Sequence, residues 1–260
     1  VLLWALATLA VAEEPPAMMR LAIPRFCGAA VGPPGETALS VVSLNCGGGS
    51  LEAAAEALAC DADVVLLQEA PGQQELGETL AGRRGLSLVA GPDCAIIVRG
   101  TQRPVAVSPD RAPYLAASLV RPDQAPRTEL LVVSVHLLQP VLRWDFWSPS
   151  TWREASEVNA LRVAQMDSVA TLVATHPKAP AVLVGGDFNT PGGDALYTAL
   201  QPRLHDAFRQ AGAGWPNTIV NEAPMSRIDQ LWLSETLRAT SLRVHRTQNS
   251  DHRMIVAEVA

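Results

Sequence analysis

Ala181-Val182-Leu183-Val184-Gly185-Gly186-Asp187-Phe188-Asn189-Thr190-Pro191 decides how this chain is read. Four apolar residues form a run too short for a helix and suited to a buried strand, and turn-forming Gly, Asn and Pro follow it. What leaves the strand is a carboxylate and then an amide. Taken alone, the segment is no more than a turn. Three other apolar runs end in the same way: Leu44 leads into Asn45, Leu67 into Gln68-Glu69, and Val135 into His136. In α/β sheets ligands bind at the carboxyl edge of the strands. An antiparallel neighbour begins at the edge where its partner ends. Asp229, before Leu231-Trp232-Leu233, and Asp251-His252, before Met254-Ile255-Val256, therefore reach the same edge.

Working outward, short apolar runs at 39–44, 64–67, 86–90, 95–98, 130–135 and 181–184 read as strands, each bounded by turn residues. Further strands follow at 228–233, 242–245 and 254–259. Helices are predicted at about 50–60, 73–83, 151–176 and 193–200. The third is given a capping box, Thr151 with Glu154, and an apolar stripe of Val158, Leu161, Val169, Leu172 and Val173. Strands with helices on their faces predict one α/β domain with mixed sheets over 38–260.

The first 37 residues read differently. Val1 to Ala12 is an uncharged apolar run, too short to span a bilayer, which needs about 20 residues. It reads as a signal-peptide remnant ending in small residues, as the end of a membrane helix, or as a buried N-terminal helix. The first two readings predict an extracytoplasmic domain, secreted or membrane-anchored. Residues 13–37, rich in Pro and Gly, read as a linker.

Composition narrows the function classes. Apolar residues make up 48% and charged residues 18%, which excludes a disordered chain. The net charge of −6 argues against a protein that tracks a nucleic-acid backbone. The four cysteines, Cys27, Cys46, Cys60 and Cys94, have no CxxC spacing and read as buried thiols, with one bridge, Cys60 to Cys94, compatible with export.

Each edge residue alone has a bland reading: Glu69 a solvated charge, His136 a core histidine, Asp229 half of a surface pair with Arg227. Together they form one cluster of oxygen ligands without cysteine, which suits a hard cation, Mg²⁺ or Mn²⁺. Histidines beside carboxylates suit acid–base work near neutral pH.

Leu44-Asn45, Gln68-Glu69, Val135-His136-Leu137, Gly186-Asp187-Phe188-Asn189, Arg227-Ile228-Asp229 and Ser250-Asp251-His252-Arg253 together resemble the motif series of the endonuclease/exonuclease/phosphatase superfamily. The resemblance runs from about Leu39 to Val259. It implies a four-layer α/β sandwich, two mixed β-sheets packed face to face with helices outside. It also implies a metal-dependent hydrolase of phosphoester bonds. On that resemblance Glu69 is the principal metal ligand, with Asn45 beside it and Asp251 reaching the metal through water. Asp187 orients or deprotonates the attacking water, and Asn189 holds that water and a phosphate oxygen. Asp229 fixes the tautomer of His252, which faces the scissile phosphate, and His136 donates to a phosphate oxygen or the leaving group. Cys46-Gly47-Gly48 and Gln230 depart from the forms common in the family.

Substrate class rests on less. Trp144, Phe146, Trp147 and Trp152 follow His136 closely. They read either as a lip for substrate or a membrane surface, with Trp144 and Trp147 as binding residues, or as packing beneath the helix at 151–176. A lipid-borne or small phosphoester is favoured, acted on by a monomer. An exported nuclease of the same chemistry and an inactive binding module are the alternatives.

Overall fold

Most strands of this protein bury both faces, and that explains why they read as unbroken apolar runs rather than alternating ones. In β1 (Leu39–Asn45), Leu39 and Val41 enter one core while Val42 and Leu44 enter another. The computed structural model describes residues 13–22, 38–125, 129–176 and 181–260. After α1 (Glu14–Ala22) and β1 come α2 (Leu51–Ala59), β2 (Val64–Gln68), α3 (Gln73–Leu80), β3 (Leu86–Ala90), β4 (Ala95–Pro104), β5 (Leu115–Pro122) and β6 (Leu130–His136). Then follow α4 (Pro149–Thr175), β7 (Ala181–Asp187), a 3-10 helix (Ala195–Ala199), β8 (Leu204–Asp206), α5 (Ala207–Ala211), β9 (Asp229–Ser234), β10 (Ala239–His245) and β11 (Met254–Val259).

The strands form one continuous mixed sheet in the order β10-β11-β1-β2-β4-β5-β6-β7-β9-β8, with β3 on β4. Two separate sheets were the expectation; instead β4 joins both halves. Its first part pairs with β2 and β3, its second with β5. Gly100 lies where β4 changes partners, at φ +137°, and a Cβ there would meet the Arg121 carbonyl at 2.3 Å. Only glycine takes that bend at so close an approach.

The sheet curls so that its halves share a core. Val41, Val64, Leu66 and Ile255 of one half belong to the same apolar cluster as Val132, Leu183 and Leu231 of the other. The outer face of the first half packs Ala53, Ala57 and Leu58 of α2 and Leu76 of α3. The outer face of the second packs Met166, Val169 and Val173 of α4.

Several local expectations are corrected. β5 is unforeseen because Leu-Ala-Ala-Ser-Leu-Val-Arg-Pro has small and polar residues of weak strand preference; pairing on both sides holds it. The short β8 and α5 are also unforeseen. Helix α4 starts at Pro149 with Ser148 at its N-cap, so Thr151 lies inside the first turn and the Thr151–Glu154 capping box does not form. Leu161 is exposed, and the buried stripe runs through Arg162, Met166, Val169 and Val173. Cys46, Cys60 and Cys94 are free thiols, so the Cys60–Cys94 bridge is absent; Cys27 lies outside the described residues.

The linker reading of 13–37 is corrected over 14–22, where α1 is a docked helix; 23–37 lie outside the described residues, as does the 1–12 run. Pro15 and Pro16 are tolerated because the first turn of a helix needs no N–H donors. Ala17 is fully buried and its carbonyl accepts from Gly214 N at 2.9 Å. Among the described residues no helix is long and apolar enough to cross a membrane.

Glu13, just before α1, bonds Arg227 Nε at 2.8 Å. Arg227 is buried, forks onto both oxygens of Asp206 at 3.2 and 2.7 Å, and lies over the Phe208 ring. Asp206 also caps α5 through Phe208 N at 2.9 Å. Asp206→Ala is therefore expected to cost about 3–5 kcal/mol in urea unfolding, because it removes both bonds of the fork and leaves a buried guanidinium with Glu13 alone. Glu13→Gln, at the rim of the same pair, should cost under about 1 kcal/mol. A loss below about 1 kcal/mol for Asp206→Ala would show that the fork is not structural.

Candidate active site

Strand register brings the site together. His136 pairs with Asp187 across parallel β6 and β7, and Asp187 pairs with Asp229 across antiparallel β7 and β9. Asn45 pairs with Gln68 across β1 and β2, which sets Glu69 one residue beyond. Asp251 and His252 precede β11, the antiparallel neighbour of β1. Gly186 sits at φ +138° before Asp187, and a Cβ there would meet the Val135 carbonyl at 2.1 Å, so the glycine lets β7 lie against β6.

At the centre is Asp187, buried. Its Oδ2 accepts from Asn45 Nδ2 at 3.1 Å and its Oδ1 from Asn189 N at 2.8 Å. Two imidazoles face it: His252 Nε2 is 3.8 Å and His136 Nε2 3.9 Å from Oδ2. Burial pushes the Asp187 carboxyl up to about 7, reinforced by the charge of Asp229 and opposed by both histidines.

His252 Nδ1 bonds Asp229 Oδ2 at 2.9 Å. Burial alone would lower the pKa of this imidazole; the Asp229 carboxylate outweighs it, with help from Asp187 and Asp251, and lifts it to about 10. His252 is thus an imidazolium at neutral pH, with Nδ1–H given to Asp229 and Nε2–H turned to Asp187. Among the described residues Asp229 Oδ1 is buried without a partner.

His136 is the second such pair. Its Nδ1 bonds Asp93 Oδ2 at 2.7 Å, and its Nε2 lies 3.9 Å from Glu69 Oε1. Burial again pulls downward, but Asp93, Asp187 and Glu69 raise the net pKa. Asp93 is a site residue that the sequence reading missed. It precedes β4, antiparallel to β2, so the edge rule that selects Asp229 and Asp251 selects it too.

The predicted metal residues lie along the same rim. Glu69, at φ +44°, accepts from Asn45 Nδ2 at 3.1 Å and from Gly48 N. A left-handed non-glycine residue is strained, and such strain gathers at functional sites. Asn45 is a bridge between Glu69 and Asp187, while its Oδ1 accepts from Gly47 N at 3.0 Å. Asp251 is exposed beside the same turn, 3.1 Å from where a Gly47 Cβ would lie. The departure at Cys46-Gly47-Gly48 thus has a use, because its backbone holds Glu69. Gln230, the other departure, bonds the Thr190 carbonyl and Tyr197 and so braces the turn after Asp187.

Ligand atoms of Asp187, Asp229 and His252 all lie within 4.8 Å of one another, a grouping that could hold a metal. Because Nδ1 of His252 is taken by Asp229, its Nε2 is the ring atom left for such a grouping. Hard oxygens crowd the site: Glu69, Asp93, Asp187, Asp229 and Asp251 outnumber the two imidazoles. That donor set fits a hard divalent cation.

Trp144 and Trp147 are not brought against these groups. They are 86% and 83% exposed on the connection between β6 and α4, with Phe146 and Trp152 also exposed. Packing beneath the helix is therefore corrected: Trp144 meets Phe146 edge-on, and Trp152 Nε1 donates to the Phe146 carbonyl at 2.7 Å.

No curated protein sequence matches the chain. Among solved structures it resembles TDP2 of D. rerio complexed with single strand DNA product, with a TM-score of 0.63 at 19% identity over 86% of this chain and 100% of that one. It also resembles a mannosyl-6-phosphatase of Bacteroides thetaiotaomicron (0.62, 16% identity, 85% and 99% covered). The human Nocturnin catalytic domain with bound sulfate is similar as well (0.61, 15% identity, 86% and 95% covered). At such identities the likeness concerns the fold. Residues 42–252 match the Endonuclease/Exonuclease/phosphatase family, a span that holds every candidate site residue described above, and the chain belongs to that family.

Proposed function

We propose that this chain hydrolyses phosphoester bonds with the help of a divalent hard cation, Mg²⁺ or Mn²⁺, on a lipid-borne or small substrate. The observation that carries the reading is the Asp229–His252 pair at 2.9 Å, turned at 3.8 Å toward a buried Asp187. Glu69 would hold the cation, with Asn45 beside it and Asp251 contributing through water. A bound cation would neutralise charge on the phosphate and offset the surplus of carboxylates.

The chain's own groups supply the rest. Asp187 takes the proton of the attacking water, a task matched to a carboxyl near 7. His252, held in one orientation by Asp229, donates from Nε2 to a phosphate oxygen. His136, fixed by Asp93, serves a second oxygen or the leaving group. Asn189 uses one amide proton on the Leu137 carbonyl at 2.9 Å, which leaves the other for water or phosphate. The two halves of the sheet with helices outside are read as the four layers that the resemblance implies.

The exposed Trp144, Phe146, Trp147 and Trp152 support a lip for substrate or a membrane surface, since Trp favours that interface. The net charge of −6 supports a small or lipid-borne substrate over duplex DNA. The apolar run at 1–12 supports an extracytoplasmic setting, checked by fractionating cells that carry the full gene product.

The test is turnover of a chromogenic phosphodiester and phosphomonoester with Mg²⁺ against excess chelator. Glu69→Gln is expected to lower kcat at least about 100-fold, and chelator to abolish turnover. Full activity in chelator would sink the metal reading. Salt-sensitive cleavage of plasmid DNA in place of ester turnover would favour a nuclease, and neither activity would favour the binding module.

A further inference from the structure

α4 carries a buried cation that the mechanism above does not use. Arg162 is 9% exposed, and among the described residues it forms no ion pair. Its Nη2 instead donates to the Asn189 carbonyl at 2.8 Å and to Thr190 Oγ1, while its Nε is buried with no partner among the described residues. Burying a guanidinium with no carboxylate bonded to it is costly, and the nearby charge of Asp194 offsets only part of the burial. One turn along the helix, Gln165 Oε1 accepts from Leu138 N at 2.9 Å. The residues so gripped directly follow the ends of β6 and β7: Leu138 is two residues past His136, and Asn189 two past Asp187.

The gripped turn is itself strained and stitched. Asn189 sits at φ +49°. Its N–H holds Asp187 Oδ1 at 2.8 Å and its Nδ2 holds the Leu137 carbonyl at 2.9 Å. Leu137 N in turn donates to the Asp187 carbonyl at 2.9 Å. Thr190 is buried, and its carbonyl accepts from Tyr197 Oη at 2.8 Å. A left-handed asparagine is disfavoured unless its surroundings hold it. The hold on its carbonyl comes from Arg162.

We propose that Arg162 is a positioning residue: its guanidinium locks the left-handed Asn189 turn, and with Gln165 it sets Asn189 and Asp187 against His136. An apolar side chain at this position would leave both acceptors without their donor, whereas a lysine could reach them only in part. Misplacement of catalytic groups by a change outside the chemistry costs about 100-fold in rate. The kinetic arm of the test rests on the phosphoester-hydrolase reading; the exchange arm does not.

Three variants test it: Arg162→Met, which keeps the bulk and removes the donors, Arg162→Lys, and Thr190→Val. Hydrogen exchange is followed in peptides covering 186–191 and 137–139, with β1 and β11 peptides as references. In Arg162→Met, exchange over 186–191 is expected to rise about tenfold or more while the references stay unchanged. With the chromogenic diester, kcat is expected to fall about 100-fold with KM within about threefold, and Arg162→Lys to recover part of the loss. Should Arg162→Met not fold, Thr190→Val keeps the arginine and the volume, and about fivefold faster exchange over 186–191 with reduced kcat is expected. Unchanged exchange over 186–191 in the folded variants overturns the proposal, as does wild-type kcat. A wild-type protein inactive on every ester sinks the hydrolase reading, and exchange then decides the clamp by itself.

Discussion

His252→Ala is expected to lower kcat by about 10³-fold or more with little change in KM, the size of effect that a positioned acid–base group supplies. The reason is that this imidazole has one bond partner, Asp229 at 2.9 Å, and one face toward the reacting groups. Asp229→Asn should do less damage than His252→Ala, because the imidazole remains but is held less firmly in one tautomer. Asp251→Asn should fall between these, as a water-mediated metal contact tolerates an amide in part. The fold should survive all three, since polar groups at a sheet edge add little to the core.

The pH dependence follows from the same pair. The folded pKa of His252, about 10, lies above the ordinary 6.5. Its contribution to stability is therefore complete below 6.5 and is lost as pH rises through about 10. The gap in unfolding free energy between wild type and His252→Ala should narrow over that window. A gap that widens with pH would mean the imidazole is neutral in the fold. Should His252→Ala keep near wild-type turnover while folded, the catalytic reading of Ser250-Asp251-His252 fails, and with it most of the mechanism.

Asp187→Asn is expected to lower kcat by about 10²- to 10³-fold and yet, in chelator, to stabilise the protein. The amide keeps the side chain's shape and Oδ1 still accepts from Asn189 N, so the turn survives, although the bond from Asn45 Nδ2 to Oδ2 is lost and offsets part of the gain. What disappears is a buried negative charge beside Asp229. The folded Asp187 carboxyl holds its proton to about 7, whereas an ordinary one loses it near 3.8. Wild-type stability should thus fall as pH rises from about 4 to 7, and Asp187→Asn should flatten that segment. Urea midpoints between pH 4 and 8 check it. A destabilised Asp187→Asn would mean that the carboxylate, not the strand register, holds the site together.

The legibility of the site in the sequence has a physical cause. Strand runs are short and apolar on both faces, so the residue at which each run stops is visible: Asn45, Glu69, His136 and Asp187 stand at or just past such stops. The antiparallel rule then reaches Asp229 and His252 from the other direction. Asp93 obeyed that rule but stood two residues before its strand within Gly91-Pro92-Asp93, where turn residues conceal a carboxylate of the candidate site. Gln68 reads as half of a motif, yet its Nε2 bonds Ser134 at 3.0 Å and ties the two halves of the sheet together.

Other features depend on partners distant in sequence. The helical character of Glu14–Ala22 came from docking of Ala17, Arg20 and Glu14 onto segments almost 200 residues away, against a composition that favours a linker. Strand β5 exists because β4 and β6 flank it. Arg162 looks like a solvated helix residue until Asn189 and Thr190 are placed beneath it.

The sequence by itself determined which residues end the buried strands, and hence the family and the candidate carboxylates and histidines other than Asp93, because strand burial is written locally in short apolar runs. Only the tertiary structure decided how those groups pair, which imidazole Asp93 and Asp229 each hold, that one sheet curls through β4, and that a buried arginine grips the Asn189 turn. Pairing depends on register and on loop positions between segments far apart in the chain, and no local pattern encodes those distances.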